Sequence, residues 1–252
     1  MNVADQVVMV TGATSGFGQA TARKFARAGA RVIATGRRSD RLAALRQELG
    51  DRLHVAELDM RDEQAVLNTV AHLPPAFREI SILVNNAGLA LGLEPADRAK
   101  LDDWIQMIDT NVRGLAILTR AVLPGMVERK RGHIVNMGSI AATYPYPGGN
   151  VYGGTKAFVH QFSLNLRADL VDKNVRVTVI EPGMAETEFS LVRFEGDEAK
   201  AAAVYKGVEP LSGEDIADTI FWVTTLPPHI NVNVLELMPT QQAFGPFAVS
   251  RK

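Results

Sequence analysis

Tyr152 and Lys156 stand four residues apart in the stretch NVYGGTKAF, just after a run of turn residues, YPYPGG. On a helix that spacing puts both side chains on one face, one turn apart. A free phenol ionises near pH 10, about three units too high for a base at neutral pH, and a fixed ammonium beside it favours the phenolate. The pair is either surface decoration or a device for moving protons, and the rest of the chain decides between them.

A second constellation lies near the start. The apolar run VVMV leads into TGATSGFG and then into the helical pattern QATARKF. Gly12 permits a tight turn, while Gly16 and Gly18 let backbone approach a phosphate and let the helix pack closely on the strand. With Thr14, Ser15 and Phe17 between them, these residues set a helix N-terminus, with its free N–H groups, against a pyrophosphate. The spacing is G-x-x-x-G-x-G rather than the common G-x-G-x-x-G.

The end of the second strand selects the nucleotide. A carboxylate there would bond a ribose 2′-hydroxyl and repel a 2′-phosphate. The chain reads IATGRR instead, with Arg37 and Arg38 and no acid. Guanidiniums pair with phosphate in bidentate, charge-assisted bonds, so the site is predicted to take NADP(H). Asp59 and Met60, after the third strand, are placed to border the adenine. Asn86, Ala87 and Gly88, after the fourth, leave room for a ribose close to backbone.

The elements that must position these residues are legible as alternation. Short β-branched runs at 7–10, 31–35, 53–57, 80–85, 133–137, 175–180 and 232–237 read as strands, several apolar nearly throughout. Helical patterns at 16–28, 40–49, 62–72, 101–129, 152–171 and 213–225 fall between them. The order predicts an α/β fold: one Rossmann-type, doubly wound parallel sheet of about seven strands, with helices on both faces. No linker, repeat or low-complexity tract interrupts it, so residues 1–252 are expected to form a single domain. Loops at 89–100 and about 184–210 follow the carboxyl ends of strands, where ligands bind in such sheets, and the second is expected to act as a substrate lid.

Bulk composition narrows the partners. Net charge is −1 and there is no cysteine. Thiolate metal sites and cysteine catalysis are excluded, a reducing, cytoplasmic setting is expected, and nothing points to nucleic acid or a membrane. The five histidines are scattered without ligand spacing, so no metal is expected. No basic leader or long apolar segment is read near the start.

TGATSGFG, NNAG, the asparagine of DTNVRG, the serine of NMGS and the Y-x-x-x-K pair together resemble the short-chain dehydrogenase/reductase family over essentially the whole chain. The resemblance implies a catalytic set of Asn111, Ser139, Tyr152 and Lys156. Tyr152 would give and take the substrate proton. Lys156 would support the phenolate and bond the nicotinamide ribose. Ser139 would orient the substrate oxygen. Asn111 would bend its helix and hold a water that passes protons to Lys156. In EPG, Pro182 and Gly183 would pass near the nicotinamide, with Thr187 bonding its carboxamide. Apolar residues cover more than one stripe of the 152–171 helix, suggesting a partner subunit, and the resemblance points to a homotetramer.

A narrower resemblance, in LALGLEPA, WIQMIDTNVRGL, TEFSLVRF and LPPHINVNVLELMPT, is to NADP-dependent 3-hydroxy acid dehydrogenases. It implies a short acidic substrate such as serine, allo-threonine or malonic semialdehyde. Sulfoacetaldehyde reductases are similar in the same stretches. Such a small anionic substrate needs a cation. Arg193 in the lid is the first candidate, against a solvated charge or an ion pair with Glu195 or Asp197. Tyr146 is a second candidate, as a hydroxyl donor. Phe247, in FGPF, is read either as closing over a neighbouring subunit's site or as plain packing.

Overall fold

The computed structural model describes residues 3–245. Phe247 lies outside the described residues. Seven strands form one parallel sheet in the order β3-β2-β1-β4-β5-β6-β7. They are β1 (Val7–Val10), β2 (Arg31–Gly36), β3 (Leu53–Glu57), β4 (Ile82–Asn85), β5 (Gly132–Met137), β6 (Val175–Pro182) and β7 (Val234–Leu237). β1 and β4 are neighbours, with Val10 opposite Val84. The chain winds outward in opposite directions from that pair, so a crevice opens beyond their carboxyl ends.

The central strands are buried and largely apolar because both faces of the sheet are covered. All four residues of β1 and all eight of β6 are buried. One core cluster joins Phe25 of α1 (Gly16–Arg27), Leu42 and Leu45 of α2 (Ser39–Leu49) and, further along the chain, Ile216 and Ile220 to Val8, Val10 and Ile180. A second joins Val66 of α3 (Glu63–Ala71) and, further along, Leu118, Val122 and Leu166 to Val7, Met9, Leu83 and Val177. Burying each such side chain contributes roughly 1.5–3 kcal/mol.

The stretch read as one helix over 101–129 is three segments. α4 (Leu101–Ile108) runs into a wide π turn (Asp109–Gly114), then into α5 (Leu115–Glu128). A Cβ on Gly114 would meet the Met60 carbonyl oxygen at 2.4 Å, so the turn packs directly against the chain after β3. π turns inside helices concentrate where a side chain must be presented out of register, and this one carries Asn111.

α6 (Asn150–Asp169) starts two residues before the expected point and holds Tyr152 and Lys156 in its first turns. The lid region contains two short helices, α7 (Phe189–Arg193) and α8 (Glu198–Ala203), the latter capped by Asp197 accepting from the Lys200 N–H. α9 (Gly213–Thr225) begins with a capping box in which Ser212 and Asp215 satisfy each other's backbone N–H groups. No helix among the described residues is long and apolar enough to cross a membrane.

Candidate active site

A cleft of about 310 Å³ runs along the carboxyl ends of the central strands. Gly12, Thr14, Ser15, Gly16 and Phe17 form one wall. Arg37, Arg38, Asp59 and Met60 line one end, and Asn86, Ala87 and Gly88 lie mid-way. Ser139, Tyr152 and Lys156 stand at the other end, beside Pro182, Gly183 and Thr187. Four expected site residues, Gly18, Asn111, Tyr146 and Arg193, are not in the lining.

Gly18 shapes the wall from behind. A Cβ there would meet the Gly12 carbonyl oxygen at 2.4 Å, so any other residue would push the turn out of place. Gly12 and Gly16 have φ of 66° and 50°, in the left-handed region that glycine adopts without strain. Thr11 Oγ1 accepts from the N–H groups of Asn86 and Ala87 at 3.0 and 2.9 Å, tying the glycine loop to the end of β4.

The loop fits a dinucleotide. Ser15 precedes α1 but makes no side-chain cap, because its hydroxyl accepts from Arg38 Nη2 at 2.8 Å. The first N–H groups of α1 thus face the cleft without a capping side chain, an arrangement suited to an anion.

At the far end Arg37 and Arg38 line the cleft and Arg41 joins Arg38 at one carboxylate. Arg38 Nη2 also donates to Thr14 Oγ1 at 2.9 Å. Arg38 Nη1 and Arg41 Nη1 reach the two oxygens of Glu188 at 2.8 and 2.6 Å. Burial pushes the Glu188 carboxyl up, and the two arginines outweigh it and hold it below the usual carboxylate range. This concentration of positive charge fits a nucleotide carrying an extra phosphate. Sequence reasoning singled out neither Arg41 nor Glu188. Arg41, one turn beyond Arg38, carried a signal in its spacing; Glu188, from the lid, carried none.

Tyr152 is 8% exposed and Lys156 6% exposed. The Lys156 ammonium stands 5.7 Å from the centre of the Tyr152 ring and donates to the Met137 carbonyl at 2.8 Å. The Ser139 side chain acts on the phenol, favouring its ionised form. The Ser139 Oγ accepts from the Ala141 N–H at 3.1 Å, which fixes its rotamer at the end of β5.

Burial pushes the Tyr152 phenol up to about 12, while the Ser139 side chain and the Arg193 charge pull it down. The expected lowering by Lys156 is not among the effects on the phenol in this state; the cation that acts on it is Arg193, and desolvation of the phenolate outweighs it. Burial pulls the Lys156 ammonium down to about 8, against the charge of Glu181.

Asn111 stands behind Gly88, 1% exposed. Its oxygen accepts from the Leu89 N–H at 2.9 Å, and its Nδ2 donates to the Leu89 carbonyl at 2.8 Å. Nδ2 also donates to Thr155 Oγ1 at 3.1 Å. The amide thus clamps the chain after β4 to α6, a contact set that the sequence did not suggest.

Arg193 and Tyr146 come together on the outer side of Tyr152. Arg193 Nη2 donates to the Tyr146 hydroxyl at 2.7 Å, and its guanidinium carbon lies 5.6 Å from the Tyr152 ring centre. Neither acid considered as its partner takes it: Glu195 pairs with Lys100 at 2.7 Å and Asp197 with Lys200 at 3.2 Å. Thr187 Oγ1 accepts from the Phe189 N–H at 3.1 Å, and Phe189 covers Tyr152 with ring centres 5.7 Å apart.

Comparison with known proteins bears on this geometry. Residues 6–197 match the family described as short chain dehydrogenase. The chain is 57% identical over 246 residues to the NADP-dependent 3-hydroxy acid dehydrogenase YdfG of Salmonella typhi, covering 97% of this chain and 99% of that protein. It is 56% identical over 245 residues to the serine 3-dehydrogenase of Rhizobium radiobacter, covering 97% and 98%. Among solved structures it resembles the closed form of a serine dehydrogenase complexed with NADP+, with a TM-score of 0.96, 56% identity, and 97% and 99% of the two chains covered. A glycine loop at the switch point, an aligned tyrosine and lysine beside it, and matches of this extent agree: the chain belongs to the short-chain dehydrogenase family.

Proposed function

We infer that the protein transfers a hydride between NADP(H) and a short acidic 3-hydroxy acid or its semialdehyde, such as serine, allo-threonine or malonic semialdehyde. One observation supports the substrate class above the rest. The Arg193 guanidinium has no carboxylate bonded to it among the described residues and sits 5.6 Å from the ring of the proposed proton carrier. A substrate whose carbonyl meets Tyr152 would bring a carboxylate two carbons away within reach of that cation, with the Tyr146 hydroxyl beside it.

The cofactor supplies or accepts the hydride. Arg37 and Arg38 would hold the 2′-phosphate, aided by Arg41, and the glycine loop would hold the pyrophosphate. Asp59 and Met60 would border the adenine, and Asn86, Ala87 and Gly88 the ribose. Pro182, Gly183 and Thr187 would flank the nicotinamide.

In reduction the Tyr152 phenol gives its proton to the forming alkoxide. A value of about 12 leaves it protonated at neutral pH, as that direction requires. In oxidation the phenol must first lose that proton, and the positive charges of Lys156, Arg193 and an oxidised nicotinamide all favour the loss. Ser139 orients the substrate oxygen, and Asn111 holds the Leu89 backbone and α6 in register.

The reading extends to assembly and setting. Phe158 is 39% exposed and stacks on Phe162 with ring centres 5.6 Å apart, Leu101 and Ile105 of α4 are 65% and 49% exposed, and Trp222 of α9 is 51% exposed. Two separate apolar faces of this kind, on α4/α6 and on α9, support a homotetramer, and the cysteine-free composition is consistent with a cytoplasmic setting.

Steady-state rates with NADPH on malonic semialdehyde and sulfoacetaldehyde, and with NADP+ on serine, test the substrate. Preference for the carboxylates by tenfold or more supports the proposal. Preference for sulfoacetaldehyde makes the protein a reductase of a sulfonate-bearing aldehyde, forming isethionate. NADPH binding without turnover of any carbonyl substrate makes it a cofactor-sensing module.

A further inference from the structure

The proposed proton transfer makes no use of a carboxyl group buried one strand residue away from it. Glu181, near the end of β6, is 1% exposed. A buried carboxylate is costly unless paired. Its partner is His160, whose Nδ1 lies 2.9 Å from Glu181 Oε1. Tyr152, Lys156 and His160 follow one another at intervals of four on α6, so they form one stripe facing the ends of β5 and β6.

The backbone makes room for this contact. Met137, whose carbonyl accepts from Lys156, pairs with Ile180, the residue before Glu181. The residue directly after β5 is Gly138. A Cβ there would lie 2.8 Å from Glu181 Cγ and 3.1 Å from Oε1. The glycine lets the acid side chain pack against the chain directly after Met137, whose carbonyl holds the Lys156 amine.

Resting on the reading above, we propose that Glu181 and His160 are a positioning pair that keeps Lys156 charged. Glu181 supplies a fixed negative charge behind the ammonium, and His160 keeps that charge ionised by donating to it. Burial pulls the Lys156 ammonium down and pushes the Glu181 carboxyl up; against this the Glu181 charge supports the ammonium, and His160 and Lys156 support the carboxylate. The other ionisable groups facing the pair are Glu236 of β7, Tyr144, which hydrogen-bonds Glu236 at 3.3 Å, and Tyr152 on the Lys156 side. Arg193 acts on Tyr152 from the lid.

Two measurements on wild type, Glu181→Gln, Glu181→Asp and His160→Leu decide the matter. One is the pH dependence of kcat for carbonyl reduction. The other is 15N NMR of lysine-labelled protein, with the Lys156 Nζ signal assigned by its loss in Lys156→Met. Removing a nearby negative charge lowers an ammonium's pKa. The Lys156 midpoint and the alkaline limb of kcat are therefore expected to move together to lower pH, by about half a unit or more in Glu181→Gln and by less in His160→Leu. Glu181→Asp is expected to restore most of the shift.

Coincident Lys156 titrations in wild type and a folded Glu181→Gln variant overturn the proposal. Should Glu181→Gln fail to fold, His160→Leu carries the test, and an unmoved midpoint there overturns it equally. The NMR titration needs no turnover. A failure of the catalytic reading would therefore appear as activity surviving in Tyr152→Phe, whatever the lysine does.

Discussion

The Arg193 guanidinium donates to the Tyr146 hydroxyl at 2.7 Å. This bond joins the lid to the turn before α6, and the backbone reinforces it, with the Gly92 N–H donating to the Arg193 carbonyl at 3.2 Å. A cation held from two sides above the proposed proton carrier loses little side-chain freedom when it grips an anion.

Replacing Arg193 should therefore damage substrate binding and spare the cofactor. In Arg193→Gln the KM for an acidic substrate is expected to rise by about 10- to 100-fold, in line with the loss of one charge-assisted hydrogen-bond pair. NADPH affinity, measured by fluorescence titration, is expected to stay within about threefold. A neutral aldehyde of similar size should be reduced nearly as well by the variant as by wild type. Equal losses on charged and neutral substrates would make Arg193 a structural anchor of the lid.

Arg38 and Arg41, joined at Glu188, predict cofactor choice. Arg38→Ala should weaken NADPH by about 10- to 100-fold and leave NADH within a few-fold, because only NADPH carries the 2′-phosphate. Glu188→Gln removes the carboxylate that occupies Arg38 and Arg41. Binding of 2′,5′-ADP to that variant is expected to tighten, and isothermal titration reads it directly. An unchanged or weakened affinity would mean that Glu188 organises the arginines for phosphate instead of competing with it.

His133 predicts how the fold responds to acid. It is 2% exposed on β5, its Nε2 lies 2.8 Å from Thr178 Oγ1, and its Nδ1 has no hydrogen-bond partner. Burial, helped by Arg176, pulls its imidazole well below the usual value. The folded state then resists a proton that the unfolded chain accepts near pH 6.5, so this contribution is intact above about 6.5 and is lost as pH falls. Denaturant midpoints should drop between about pH 6.5 and 5, and His133→Gln should flatten that drop. An identical slope in wild type and variant would assign the acid sensitivity to other groups.

Much of this arrangement was legible before the structure. Short apolar, β-branched runs located all seven strands, since β1, β4 and β6 are buried on both faces and are apolar at most positions. The start of β7 and the start of β4 were less sharp: Val232 and Ile80 read as strand but lie outside the paired ladder. The spacing of Tyr152 and Lys156 and the glycine loop survive as neighbours in one cleft because helix periodicity and strand–loop–helix order are local properties.

What stayed hidden depends on contacts distant in sequence. The Glu188–Arg38 and Glu188–Arg41 pairs span 150 and 147 residues, and no local pattern announces them. The π turn around Asn111 is invisible because its apolar spacing continues the helical pattern on either side. The phenol's upward shift was missed because sequence shows the neighbouring charge but not the desolvation that opposes it.

Tyr152→Phe is the most direct test of the central claim that this phenol carries the substrate proton beside a bound NADP(H). The variant keeps the ring, its packing on Phe189 and the cleft, and lacks only the hydroxyl. Single-turnover reduction followed by NADPH absorbance, alongside NADPH titration, separates chemistry from binding. The account predicts a loss of about 10³-fold in the hydride-transfer rate with NADPH affinity within about threefold of wild type. Hydride transfer in the variant within about tenfold of wild type would contradict it.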